Sequence, residues 1–176
     1  IIPNNVTTIG NNAFKNCTGV EKLVIGDSLT NFGNLLNCVH PKEITVTNED
    51  SAYTVSGNCL IQKATGTLML GGTGAVIPDD GSVTSIANNA FQNCTTLTKI
   101  VIPASVQTIG NYAFSGCTNL AEVTISQGVT VIGTYAFQNC TSLKEIKIPE
   151  GVTRIQERAF QGCTNLATIE IPSTVT

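Results

Sequence analysis

The chain has 176 residues, of which 41% are hydrophobic and only 12% are charged, and its formal net charge is −3 at pH 7. This mildly acidic balance offers no basic field to a phosphate backbone, which argues against nucleic acid as a partner. Two stretches without charge, 100–121 and 123–143, are interrupted by Pro103, Gly133 and several amide side chains, so we expect no insertion into a membrane.

The first elements in chain order form one repeat unit and a degenerate copy of it. Residues 6–10 read Val-Thr-Thr-Ile-Gly, and residues 13–17 read Ala-Phe-Lys-Asn-Cys. The copy carries Leu-Asn-Cys at 36–38, so its cysteine follows Cys17 by only 21 residues. We assign residues 1–47 to these N-terminal repeats.

Residues 48–78 do not follow the repeat, and short apolar runs alternate there with turn formers. The runs 53–55 and 60–62 flank a Ser-Gly-Asn turn, which predicts a β-hairpin. A third run, 67–70, is expected to return to the same sheet. We predict that this segment is a β-hairpin insertion that interrupts the array, before the repeats resume at Val83.

Residues 79–176 repeat with a period of 23 residues. Each unit contains Ala-Phe-x-x-Cys, then Leu-x-x-Ile-x-Ile-Pro with slight variation, then Val-x-x-Ile-Gly. A period of this size predicts a solenoid, because each unit has an apolar edge that only its neighbours can bury. The marker residues recur in register at Phe91, Phe114, Phe137 and Phe160, and at Cys94, Cys117, Cys140 and Cys163.

Within one rung, as we name each turn of the solenoid, the apolar alternation around Ile100 predicts a strand. Ile100 and Ile102 should point inward, and Lys99 and Val101 outward. Equivalent strands of successive rungs are then parallel and about 4.8 Å apart. The segment Asn-x-Ala-Phe-x-x-Cys is too short for a full helix and predicts a single turn of α or 3₁₀ helix, with Phe and Cys inward.

The whole phrase, Ile-Pro-x-x-Val-x-x-Ile-Gly-x-x-Ala-Phe-x-x-Cys-x-x-Leu, closely resembles the BspA-like leucine-rich repeats. The match is almost continuous over 79–176 and includes one degenerate unit over 1–47, and the 48–78 segment resembles a hairpin break that many members carry. We therefore predict one leucine-rich-repeat solenoid domain over 1–176: a β-rich right-handed superhelix of 23-residue rungs with parallel strands and short α or 3₁₀ turns. The absence of a basic start and the stop at Thr176 suggest a fragment of a longer array.

The resemblance also carries expectations about function. Members of the family are mostly surface or secreted proteins of anaerobic mucosal bacteria, and the characterised ones are adhesins that bind host matrix proteins or other cells. It implies an extracellular or cell-surface location, a protein partner, and neither a catalytic motif nor a cofactor. The alternative interpretation is a passive structural spacer that displays another module at the cell surface.

The side chains that could react or bind a metal ion form no recognisable catalytic or metal motif. No two of the seven cysteines are closer than 21 residues, and stacking separates equivalent cysteines beyond the reach of a disulfide. We interpret the repeated cysteines as buried free thiols, and Cys59 as the one least expected to be buried. His40, the sole histidine, is interpreted as a surface-loop residue, and Asp79 with Asp80 supplies too few oxygens for calcium.

The outward positions of the predicted strands form the candidate binding site. They vary from rung to rung while their inward neighbours stay Ile or Val. Outward residues can therefore carry binding specificity without changing the core. One interpretation is a solvated face with cross-strand pairs such as Lys99 with Glu122 and Lys147 with Glu170. The other is a protein-binding surface. Its candidate residues are Lys99, Val101, Glu122, Thr124, Glu145 and Lys147.

Overall fold

The structure is a computed structural model that describes residues 1–17, 19–33 and 40–176 of the chain. Within these residues the regular elements are all strands, and no helix occurs. Parallel pairing between successive rungs makes the chain a β-solenoid. Two of its sides carry strands, and we name them the long-strand face and the short-strand face.

The long-strand face contains a strand of three or four residues from each rung, and the short-strand face a strand of two. The long strands are β2 (Lys22–Ile25), β4 (Glu43–Val46), β9 (Lys99–Ile102), β11 (Glu122–Ile125), β13 (Glu145–Lys147) and β15 (Thr168–Glu170). The short strands are β1 (Thr8–Ile9), β3 (Asn31–Phe32), β8 (Ser85–Ile86), β10 (Thr108–Ile109), β12 (Val131–Ile132) and β14 (Arg154–Ile155). Alternating Ile, Val and Leu produce both kinds, because every second side chain of a strand points into the core.

Neighbouring rungs stack with equivalent residues side by side. On the long-strand face Ile125 pairs with Ile102, and on the short-strand face Ile132 pairs with Ile109. The partners in each pair are 23 positions apart in the chain. A side chain that is inward in one rung is therefore covered by the same kind of side chain in the next.

Stacked phenylalanines form the centre of the core in the regular rungs. The rings of Phe91, Phe114, Phe137 and Phe160 follow one another with centroid separations of 5.0, 5.1 and 5.4 Å and nearly parallel planes. The first three rings are fully buried and Phe160 is partly exposed. Strand register on both sides of the rung places the rings over one another, and stacking adds to the energy of their burial.

The turn that carries the marker is not helical, so the prediction of one α or 3₁₀ turn is wrong. The amides of Ala113 and Ser115 donate to carbonyls three residues back, at 3.3 and 3.1 Å. The amides of Tyr112 and Phe114 instead donate to the following rung, at 2.9 and 2.7 Å. A left-handed backbone at Tyr112, with φ of 57°, breaks any helical run. Acceptors in the neighbouring rung favour this turn, because buried amides need partners.

The predicted hairpin forms, and its last strand joins a sheet of the regular rungs. Strands β5 (Tyr53–Ser56), β6 (Cys59–Gln62) and β7 (Thr67–Gly71) pair antiparallel in chain order. Strand β7 then pairs in parallel with β8, so the hairpin and the short strands β8, β10, β12 and β14 make one seven-stranded sheet. The sequence pattern could not indicate this, because the pairing of β7 with β8 depends on how the chain returns after residue 71.

A bulge in the hairpin directs two leucines of β7 into two different hydrophobic cores. Leu60 pairs with Leu70 and Ile61 with Leu68, which leaves Met69 as the extra residue. Because of this shift, Leu68 packs into the core of the regular repeats while Leu70 packs into the core of the N-terminal repeats. Without the bulge the two leucines would point to the same face.

Candidate functional site

The six candidate residues lie together on the long-strand face, two on each of β9, β11 and β13. All six side chains are exposed, Val101 at 57%. Between them, Ile100 and Ile102 are buried, at 3% and 0% exposure. The inward and outward positions predicted for β9 are therefore confirmed. Whether the six residues bind a partner stays a prediction.

Three adjacent depressions lie over this face, and each of the six candidate residues lines at least one of them. The first, of about 240 Å³, includes the exposed Val76 beside Val101. The second, of about 250 Å³, lies over β13 and β15. The largest, of about 610 Å³, combines apolar residues such as Ile125 and Pro149 with polar ones such as Gln127. The face thus offers shallow depressions lined by both apolar and polar residues.

The strand ladder is open between β11 and β13. The amide of Ala121 donates to Thr98 of the rung before it at 2.8 Å, and that of Ala167 donates to Lys144 at 2.9 Å. Among the described residues, no such backbone bond joins 121–126 to 144–149. Proline contributes to the gap. The amide of Ser126 donates to Ile102 of the preceding rung at 3.0 Å, but the equivalent residue of the next rung is Pro149, which has no amide hydrogen to donate.

This opening changes the surface of the candidate site. Val123 is the inward residue of β11 at the gap, and it is partly exposed, whereas its equivalents Ile100 and Ile146 are buried. Val123 lines both of the depressions that border β13. The gap therefore places an apolar side chain and the backbone edges of two strands within one cleft, which we name the β11–β13 cleft.

Charges on the face are only partly paired. Lys147 Nζ lies 3.3 Å from Glu170 Oε2, so this predicted pair is confirmed. Lys99 and Glu122 are partners in strand register, but their side chains form no ion pair within the described chain. Such exposed pairs contribute at most about 1 kcal/mol each. The charges of Lys99, Glu122 and Glu145 therefore face solvent.

A second surface column, partly exposed and missed by the sequence interpretation, lies on the marker turns. The rings of Tyr112 and Tyr135 stack at 4.9 Å, and the guanidinium of Arg158 lies over Tyr135 at 5.6 Å and donates to its hydroxyl. The three residues share one position of the repeat and a φ of 57°. The only signal was their common place before Ala-Phe, where an asparagine stands in other rungs.

The repeated cysteines form a thiol ladder. Sγ of Cys117 donates to the carbonyl oxygen of Phe91 at 3.1 Å, and Sγ of Cys140 donates to that of Phe114 at 3.3 Å. Each thiol thus bonds the backbone of the rung before it, which a small aliphatic residue could not do. Burial raises the pKa of Cys117, so its thiol stays protonated.

The structure corrects two expectations about the cysteines and leaves one outside its scope. Cys59 is fully buried, because β6 lies inside the sheet rather than in an exposed loop, and burial raises its pKa to about 12. Cys17 is exposed rather than buried. Cys94, Cys117 and Cys140 are buried as predicted, whereas Cys163 is only partly buried. Cys38 lies outside the described residues.

The interpretation of His40 as a surface-loop residue is also wrong. Its ring is half-buried, with Nδ1 at 2.6 Å from the carbonyl oxygen of Gly71 and Nε2 at 2.9 Å from that of Gln92. Pro41 next to it is buried, and its carbonyl accepts the amide of Thr73 at 2.8 Å. Contacts with residues more than thirty positions away, which the local sequence does not indicate, hold the ring in this half-buried position.

The described residues contain neither a metal-binding cluster nor a membrane-spanning helix. Within residues 1–17, 19–33 and 40–176, no three His, Cys, Asp or Glu side chains converge as a metal ion would require. Over the same part of the chain there is no helix with the length and apolar character needed to cross a bilayer.

Comparison with known proteins identifies the repeat. The model of the BspA type leucine rich repeat region matches in six copies, over residues 1–62 and 73–176. No curated protein matches the sequence.

Solved structures share the fold. A leucine rich cell surface protein from Faecalibacterium prausnitzii superposes with a TM-score of 0.86 at 34% identity, over 99% of this chain and 47% of that one. The pneumococcal vaccine antigen PcpA gives a TM-score of 0.82 at 19% identity, over 97% and 47%. A leucine-rich repeat protein from Eubacterium ventriosum gives 0.71 at 21% identity, over 97% and 54%. The chain thus spans about half the length of each, and the last two comparisons concern the fold alone.

Proposed function

Because the chain belongs to the BspA-type leucine-rich-repeat family, we propose that it is a non-catalytic module that binds a protein partner through its long-strand face. One observation carries the proposal: all six variable outward residues line a continuous series of depressions on that face. We place the module outside the cell or on its surface. The 34% identity to a protein described as a cell surface protein supports that location.

The partner we propose is a polypeptide with an extended segment that lies along the face. Val76 and Val101, exposed at 67% and 57%, offer it an apolar contact. The β11–β13 cleft offers it, beside Val123, backbone groups at strand edges that pair with no other strand in the described part of the chain. Lys99 and Glu122 offer it one charge of each sign. Main-chain bonds would then supply affinity, and the exposed side chains would supply specificity.

The same proposal includes the organisation of the chain. We propose one solenoid domain over 1–176, in a right-handed sense, with N-terminal repeats at 1–47, the hairpin segment at 48–78 and regular repeats at 79–176. The family match over both halves of the chain supports a single array. We also propose that the module acts in adhesion and that its source is bacterial.

The experiment is a binding screen of the purified chain against mucosal and matrix proteins, followed by charge reversal on the face. We expect Lys99→Glu and Lys147→Glu, combined with Glu122→Lys and Glu145→Lys, to weaken the binding of an identified partner by about tenfold or more, because four rim contacts change sign together. Circular dichroism would check that this quadruple variant still folds.

A matched control reverses four exposed charges away from the long-strand face. It combines Lys15→Glu, Lys63→Glu, Glu49→Lys and Asp79→Lys, and we expect binding close to that of the unmodified chain. Equal binding by the folded face variant would contradict the proposed site. The competing proposal, a passive spacer, predicts that the unmodified chain binds nothing in the screen, and that outcome would replace a binding function by a structural one.

A further inference from the structure

His40 lies where the N-terminal repeats, the hairpin and the first regular rung meet. Its own carbonyl accepts the hydroxyl of Thr73 at 2.8 Å, and the carbonyl of Pro41 accepts the amide of Thr73, also at 2.8 Å. Its ring reaches Gly71 at the end of β7 and Gln92 in the first regular marker turn. One side chain therefore connects three parts of the chain.

The two ring contacts indicate which nitrogens of the His40 ring carry a proton. Both partners are backbone carbonyl oxygens, which only accept hydrogen bonds. A neutral imidazole carries one N–H, so it can satisfy either Gly71 or Gln92 but not both. With Nδ1 at 2.6 Å and Nε2 at 2.9 Å, the second carbonyl would otherwise face a nitrogen lone pair at hydrogen-bond distance. The geometry fits an imidazolium that donates from both nitrogens.

The regular rungs show which kind of group the carbonyl at the position of Gln92 contacts. In the next rungs, the equivalent carbonyls of Ser115 and Gln138 accept amides of the preceding rung, both at 2.7 Å. Before Gln92 the preceding chain is the hairpin, whose Gly71 amide bonds Ala90 at 3.0 Å instead. The His40 Nε2 lies 2.9 Å from the Gln92 carbonyl oxygen, in a contact like those that the amides make with Ser115 and Gln138, and this favours a donor role for Nε2.

The surroundings of the ring also favour its positive charge. Burial, the largest single effect, disfavours the charge, but hydrogen bonds and the charge of Cys94, with the two carbonyls, together raise the pKa of His40. Cys94 is the titratable group in contact with the ring among the described residues. Lys42, on the same segment, is at the surface and pairs with Glu21 at 2.6 Å. For Cys94, burial is again the largest effect and opposes ionisation, yet His40 lowers the pKa of the thiol.

We propose that His40 is held as an imidazolium in the folded protein and acts as a pH-sensitive clamp between the hairpin and the first regular rung. The direction of the pH effect follows from linkage. The pKa of His40 is raised on folding, so the clamp is complete below the unfolded value of about 6.5 and is lost as the pH rises through the folded value. The N-terminal repeats are then less firmly joined to the regular repeats in alkaline solution.

The test uses the fact that His40 is the only histidine in the chain. The ring proton resonances of the intact protein would be followed by NMR against pH, in buffer and again in concentrated urea. We expect the titration midpoint in the folded protein to lie above that in urea. A folded midpoint equal to or below the unfolded one would overturn the proposal.

Two variants separate the carbonyls from the thiol. In Cys94→Ser we expect the midpoint to fall but to stay above the value in urea, because both carbonyls remain; a fall to the unfolded value would overturn the role of the carbonyls. For His40→Gln we expect a lowered Tm near pH 5 and a smaller difference near pH 9, since only the charged ring makes both bonds. Lys15→Gln is the control for removal of an exposed charge, and we expect no such trend. A Tm difference for His40→Gln that stays constant with pH would also overturn the clamp.

Discussion

At the scale of single residues, the marker Ala-Phe-x-x-Cys performs two physical tasks. The phenylalanine fills the centre of the rung and stacks on its equivalents, as Phe114 does between Phe91 and Phe137. The cysteine donates its S–H to the backbone of the preceding rung, as Cys117 does to Phe91. The sequence indicated the burial of both residues, but the hydrogen bond depends on a carbonyl 26 positions away and could not be predicted.

The phenylalanine column predicts the effect of truncation. We expect Phe114→Ala to reduce the free energy of unfolding by roughly 3–5 kcal/mol, because a fully buried ring is lost and a cavity remains. The measurement is urea denaturation followed by circular dichroism. Phe160→Ala is the matched control, and we expect a smaller loss because that ring is partly exposed. A loss below about 1 kcal/mol at Phe114 would contradict its place in the core.

The cysteines predict a pattern of chemical labelling. We expect Cys17 to react with an alkylating reagent in the native protein, and Cys59, Cys117 and Cys140 to react only after denaturation. The raised pKa of Cys59, about 12, adds to the effect of burial, because the thiolate is the reactive form. Peptide mapping by mass spectrometry would identify each labelled residue, with Cys17 as the internal control. A disulfide between Cys94 and Cys117 would be inconsistent with the stacked rungs.

At the scale of elements, the hairpin is the part where local pattern and tertiary structure differ most. Its strands were predictable, since alternation and turn residues over 53–70 are local signals. Its role was not, because β7 joins β8 across a connection that the pattern does not constrain. The bulge at Met69 then divides Leu68 and Leu70 between two cores. The marker turn is a similar case, since bonds to the next rung replace a helical turn.

The junction of hairpin and array predicts a severe effect of one methyl group. A Cβ at Gly71 would lie 1.8 Å from Cε1 of Phe91, so we expect Gly71→Ala to cost about 1–3 kcal/mol of stability, measured by thermal denaturation. Gly10→Ala is the control, because nothing lies within 4 Å of a Cβ there. We expect Gly71→Ala to cost less stability in a chain that already carries Phe91→Leu than in the unmodified chain, because the smaller side chain leaves room for the added methyl group. Equal effects of Gly71→Ala and Gly10→Ala would contradict the close approach.

At the scale of the whole molecule, two hydrophobic cores are joined through one hairpin. The larger contains residues from Cys59 to Ala159, and the smaller contains residues from Ile2 to Leu70. The candidate site lies over the larger core, where the outward residues of β9 and β11 stand side by side because the two strands pair in register. The alternation of strands predicted those outward positions. It did not predict the β11–β13 cleft, which results from a ladder that fails to close between two particular rungs.

The sequence by itself determined the solenoid, the inward and outward positions of its strands and the family, because a repeated local pattern specifies the same packing at every copy. The tertiary structure alone decided the conformation of the marker turns, the sheet that the hairpin joins and the partial burial of His40. Each of these depends on which donors, acceptors and apolar surfaces the neighbouring rung presents. Those neighbours are distant in the chain, and the local pattern of residues does not record them.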